Sequence, residues 1–166
     1  MQDILKPTEV KPRYIPKNVK HEQSLQLQVC QYIRLVKPQA VFRSDYASGL
    51  RLSMHQASLH KRMQSGRAWP DLMIFEPREV TMKDGTKEQF NGMAIELKKE
   101  GTTIIVKKGP RAGHLVSDPH IQEQYWVLKD LAKRGWYTNF ASGFDEFEYL
   151  FCWYFGLPKP DQTKLF

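Results

Sequence analysis

Glu96 and Lys98 stand two residues apart in the run Gly92-Met93-Ala94-Ile95-Glu96-Leu97-Lys98, which reads as a strand over 92–98. Side chains alternate across a strand, so Met93, Ile95 and Leu97 share one apolar face while Gly92, Ala94, Glu96 and Lys98 share the other. The acid and the lysine then lie about 6–7 Å apart along the strand, and the small Gly92 and Ala94 are expected to leave room beside them. Asp71 follows Pro70 and opens a second apolar strand, Asp71-Leu72-Met73-Ile74-Phe75. If these strands are neighbours, two carboxylates meet at their polar ends. Paired carboxylates repel, and a hard divalent cation with oxygen ligands resolves the repulsion. The chemistry of such a centre is metal-assisted hydrolysis of a phosphodiester: the cation polarises the phosphate and acidifies a water. Lys98 then orients the attacking water or stabilises developing negative charge.

An acid-x-lysine triplet alone is common on solvated strands, so the surrounding residues matter. Two helices offer candidates. Glu22 sits three residues before Leu25, at the edge of an apolar stripe, with Gln26 one turn further along the same side. It reads either as a third acidic ligand or as an N-terminal acid favoured by the helix dipole. Gln124 precedes Leu128 and Leu131 at four- and seven-residue spacing, which turns it towards the buried side. A buried amide needs a partner; here that is backbone, a metal-bound water or a DNA phosphate.

The elements that must position these residues follow from periodicity and punctuation. Leu25, Val29, Ile33 and Val36 predict a helix over 21–37, ended by Pro38. Residues 40–44 read as a short strand, and 45–66 as a basic connection with a short helix near 53–64. Asp84-Gly85 marks a hairpin between strands at 79–82 and 87–90. Residues 99–117 form a Gly- and Lys-rich loop, with a strand expected at Thr103 to Val106. Asp118 as N-cap, Pro119 in the first turn and Gly135 past the end bracket a helix over 118–134. A strand at 136–140 and a helix over 144–155 complete the series. Phe147, Leu150, Phe151 and Tyr154 form a stripe on that last helix, read as core or dimer contact rather than a ligand box. The order predicts an α/β fold with a central mixed sheet flanked by helices. A domain is expected over 21–156, between an N-terminal tail at 1–20 and a C-terminal tail at 157–166.

The chain has 166 residues, enough for one domain with a real core. No apolar run is long enough for a membrane span and no signal peptide is recognisable, so a cytoplasmic protein without a membrane partner is expected. Cys30 and Cys152 form no CxxC pair. They are expected as free, buried thiols rather than zinc ligands. The net charge of +7 is concentrated. Arg43, Arg51, Lys61, Arg62 and Arg67 oppose only Asp45 within 43–67, and Lys98, Lys99, Lys107, Lys108 and Arg111 oppose only Glu100 within 98–114. Two basic segments on an otherwise near-neutral chain suit a polyanion such as DNA. His55, His60, His114 and His120 are weighed for phosphate contact or proton transfer. Trp69 is read as packing, Arg67 as a backbone-phosphate contact. No serine has the histidine–acid arrangement of a serine hydrolase.

Glu22, the run Gly66-Arg67-Ala68-Trp69-Pro70-Asp71-Leu72, the run Ile95-Glu96-Leu97-Lys98, and Ser117 to Gly135 with Gln124, Leu128 and Leu131 together resemble the VRR-NUC branch of the PD-(D/E)XK nucleases. The resemblance covers about residues 21–145. It implies a restriction-endonuclease-like core and a Mg2+-dependent nuclease, with Mn2+ substituting. The ion would be held by Glu22, Asp71, Glu96 and the Leu97 carbonyl, with Lys98 as the catalytic lysine and Gln124 as the glutamine of the helix after the core sheet. Arg51, Lys61, Arg62, Arg67, Lys99, Lys107, Lys108 and Arg111 are the residues expected to hold DNA. Stand-alone members are often from bacteriophages and bacteria, and some act as dimers on branched DNA. One catalytic set per chain makes a homodimer the simplest way to cut both strands. The hairpin at 78–90 and the loop at 99–117 are longer than a minimal member needs. The rival readings are a nuclease-like fold that binds DNA without cutting it, and a basic interaction protein using its aromatic C-terminal helix.

Overall fold

A computed structural model describes residues 22–45, 53–63 and 68–158, with the side chains of residues 22, 23, 57, 60 and 61 not described. The expected tail at 1–20 and residues 159–166 of the expected tail at 157–166, together with Arg51 and Arg67, lie outside the described residues. The elements are α1 (Glu22–Val36), β1 (Phe42–Ser44), α2 (Met54–Met63), β2 (Leu72–Ile74), β3 (Arg78–Thr81), β4 (Lys87–Phe90), β5 (Gly92–Lys98), α3 (Pro119–Lys133), β6 (Trp136–Ser142) and α4 (Phe144–Phe155).

Four strands form one mixed sheet in the order β1-β2-β5-β6. β1 and β2 pair antiparallel, as do β2 and β5, whereas β5 and β6 run parallel with α3 as the crossover. β3 and β4 form a separate hairpin. The register pairs Leu72 with Ile95 and Ile74 with Met93. These four, with Leu97, fill one face of the sheet. Against them pack Leu25, Val29 and Ile33 of α1 and Phe147, Leu150, Phe151, Tyr154 and Phe155 of α4. The aromatic stripe of α4 is therefore core: Phe147 and Phe151 are wholly buried, tilted against each other, and meet the Tyr32 ring edge to face. Cys152 is buried and Cys30 half-buried, both as free thiols, and burial pushes the Cys30 thiol up.

The opposite face carries Ala94, Glu96 and Lys98. α3 covers its β5–β6 half through Ile121, Gln124, Leu128 and Leu131. Asp118 caps α3 by accepting from the His120 and Ile121 amides, Pro119 takes the first turn, and Gly135 follows at φ 80°.

Two expectations need correction. Thr103 to Val106 is no strand; Ile105 and Leu115 make one isolated bridge, and the loop pairs with itself through Val106, Gly113 and His114 instead. Nor does Gly92 leave an open space. A Cβ there would lie 2.5 Å from both the Ile74 carbonyl oxygen and the Trp136 ring, so the missing side chain is filled by the indole. Gly92→Ala should therefore destabilise the protein by about 2 kcal/mol, because the carbonyl that blocks it is part of the β2–β5 ladder. Urea unfolding measures this; an unchanged midpoint would contradict the close packing.

No helix among the described residues is long and apolar enough to cross a membrane.

Candidate active site

Asp71 stands one residue before β2, directly opposite Glu96 if the Leu72–Ile95 register is continued. Leu97 turns its N–H towards β2, where Pro70 is next in register. The Asp71 carboxylate takes that N–H: its Oδ2 accepts from the Leu97 amide at 3.0 Å. Pro70 has no N–H to offer the Leu97 carbonyl in return. Asp71 Oδ1 accepts from Gln26 Nε2 at 3.1 Å, and that amide also donates to the Asp45 carbonyl at 3.1 Å. The Asp45 N–H donates to the Asp71 carbonyl at 2.8 Å. The carboxylate is thus fixed by β5, α1 and the end of β1 together.

Glu96 is 2% exposed and Lys98 8%. Charges this deep survive only when partnered. Lys98 Nζ donates to Glu96 Oε1 at 3.0 Å, and Gln124 Nε2 donates to the same oxygen. Glu96 Oε2 is buried with no hydrogen-bond partner, as is Gln124 Oε1. Burial, then the neighbouring Asp71 charge, push the Glu96 carboxyl up to about 8, and Lys98 offsets only part of this. A second nitrogen meets Gln124: His120 Nε2 lies 3.0 Å from Gln124 Nε2.

Asp71, Glu96, Lys98 and Gln124, which come from three separate stretches of sequence, are therefore brought together. Glu22 opens α1 one turn before Gln26, but its side chain is not described. Among the described residues no group of three His, Cys, Asp or Glu side chains converges. Two further residues join the cluster: Gln26, given no role from sequence, and His120, weighed there only for phosphate contact or proton transfer. Gln26 is 6% exposed beside Leu25 and Val29, and a glutamine on the apolar side of a helix is the signal that marks it. His120 sits one turn before Gln124, the same i,i+4 relation.

The basic residues are placed less uniformly. Arg62 on α2 and Lys99 at the end of β5 are exposed. Lys107, Lys108 and Arg111 are exposed at the tip of the loop that Val106, Gly113 and His114 close, and Arg111 donates to Ser117. Lys61 lies on α2 with its side chain not described.

No protein-family model and no curated protein matches the sequence. Among solved structures, one described as a "VRR_NUC domain protein" is similar over 88% of this chain and 96% of that chain, with 22% identity and a TM-score of 0.54. This chain thus has the fold of a VRR_NUC domain, a PD-(D/E)XK-like mixed sheet flanked by helices.

Proposed function

We propose that this protein is a metal-dependent nuclease that hydrolyses DNA phosphodiester bonds, acting as an endonuclease selective for branched or flapped structures. The observation that carries the reading is the buried Glu96 beside the half-buried Asp71, with Glu96 Oε2 lacking any hydrogen-bond partner and its carboxyl driven up by burial and by Asp71. Two adjacent carboxylates that Lys98 only partly offsets are costly to ionise together, and a divalent cation is the group that compensates them. The donor set fits Mg2+, which takes one or two carboxylates, keeps several waters and shares the substrate phosphate. Asp71, Glu96 and the Leu97 carbonyl would hold it, with Glu22 as a further ligand; Mn2+ would substitute. When bound, the ion polarises the phosphate and makes a nucleophile of water at neutral pH.

The chain's own groups do the rest. Lys98 stabilises the negative charge that grows on the phosphate oxygens as water attacks. Gln124 holds Glu96 through its Nε2 and offers its buried Oε1 as acceptor for a proton of the attacking water. Gln26 keeps Asp71 from rotating away. Lys99, Lys107, Lys108, Arg111 and Arg62, with Arg51, Lys61 and Arg67, neutralise the DNA backbone on either side. Incubating the purified chain with supercoiled, linear, flapped and four-way DNA in Mg2+, Mn2+ or EDTA tests this. Cleavage only with metal is expected. Binding without cleavage in either metal would leave a DNA-binding module on a nuclease-like fold.

A further inference from the structure

The face of the sheet that bears the acidic centre is only half covered. α3 lies over β5 and β6, while over β1 and β2 the same face opens into a cavity of about 310 Å³. The register explains why the two adjoin. Arg43 pairs with Met73 and Met73 with Ala94, so Arg43, Met73 and Ala94 stand on the Glu96 face. Met73 lies two residues from Asp71, about 7 Å along the strand. Phe75 is two further on, and Asp45 is hydrogen-bonded to Asp71 through the backbone. The walls are Trp69, Met63, Met73 and Phe75; Arg43 and Asp45 form a polar edge. Phe75 is 44% exposed and Met63 82%. The Phe75 ring is held edge-on by Trp136, with centroids 5.4 Å apart.

We propose that this cavity receives one unpaired nucleobase of the strand being cut, next to the scissile phosphate. The inference rests on the nuclease reading of the neighbouring centre and adds the substrate class: DNA with a single-stranded nucleotide at the cleavage point. A flat heteroaromatic ring suits two aromatic walls and two thioethers, and an Arg at the rim suits its polar edge or its phosphate. The volume is at the small end of ligand sites, roughly 300–1,000 Å³. It is large enough for a single base. A paired base would first have to leave the helix, which costs unstacking and unpairing energy, whereas a flap or junction nucleotide is already free.

The test uses the full chain in EDTA, so that binding is read without cleavage. Flapped duplexes carry 2-aminopurine, or alternatively an abasic nucleotide, scanned through the junction. At one position the 2-aminopurine fluorescence should fall on binding, and the abasic nucleotide there should weaken binding about tenfold. Trp69→Ala should remove both effects. Phe75→Ala, at a half-exposed site, should reduce both and serves as the second variant if Trp69→Ala fails to melt cooperatively. No position with both effects, or both effects retained in a folded variant, overturns the proposal. Cleavage in Mg2+ without position-specific discrimination sinks the pocket and leaves the nuclease reading. Discrimination in EDTA with no cleavage in any metal sinks the nuclease reading and leaves the pocket.

Discussion

Replacing Lys98 by methionine should lower the rate of DNA cleavage by roughly a hundred- to a thousandfold while the protein still folds. Methionine keeps the aliphatic stem that fills the space beside β6 and removes only the ammonium group. That group lies 3.0 Å from Glu96 Oε1 in a site almost closed to water. Electrostatic interactions are strongest where water is excluded, so a cation aimed at developing charge contributes most in such a place. Two roles are separable. If Lys98 only keeps Glu96 ionised, raising the pH above the Glu96 titration should restore the variant, because the acid then ionises unaided. If Lys98 acts on the reacting groups, the deficit should persist. We expect persistence, with kcat and kcat/KM falling together as for an interaction made in the transition state. Undiminished cutting by the variant, with contaminating nuclease excluded, would remove Lys98 from the mechanism and leave the site resting on its carboxylates alone.

The residues legible in the sequence were those with strong local constraints. β5 spans Gly92–Lys98 as expected because both its faces are buried and its alternation is uninterrupted. α3 was bracketed by Asp118, Pro119 and Gly135, each of which acts through its own backbone geometry. Asp71 was placed at the head of a strand, but the strand begins at Leu72. Its carboxylate accepts from the Leu97 amide, a relation visible only once β5 is alongside. Gln26 and His120 gained their significance the same way, from partners distant in sequence or one helical turn away. The expected strand at Thr103 to Val106 failed because that segment's hydrogen bonds go to its own loop, between Val106 and His114 and between Ile104 and Val116. The room inferred beside Gly92 vanished because Trp136, on the neighbouring strand, fills it. What sequence pattern missed was thus the tertiary partner, not the local tendency.

Without a divalent cation the protein should lose stability as pH rises from about 5 to about 9, by on the order of 3 kcal/mol, and Mg2+ should restore it. Glu96 is raised from 4.5 to about 8 in the folded chain. An acid with a raised folded pKa holds its proton more tightly folded than unfolded. Its contribution is therefore fully present below about 4.5 and is lost as pH climbs through about 8. Asp84, lowered by Thr86, and Lys87, raised by Glu79, titrate outside this interval, and Cys30, raised from 9.0 by burial, adds to the fall only at its upper end, so most of the slope belongs to the buried centre. The melting temperature in EDTA should accordingly fall by roughly 6–12 °C across the range. A cation that binds the ionised pair acts in the opposite sense. It stabilises by about 2.7 kcal/mol at a hundred times its dissociation constant, and more at high pH than at low, because at low pH it must first displace the Glu96 proton. Glu96→Gln should flatten the EDTA profile and abolish the Mg2+ shift together. Thermal melts in EDTA and in Mg2+ at several pH values read all of this without a substrate. A flat wild-type profile would mean that Glu96 is ionised in the apo fold, its charge already balanced by Lys98. A falling profile that Mg2+ leaves untouched would mean that the buried pair is strained but that the ion does not bind there.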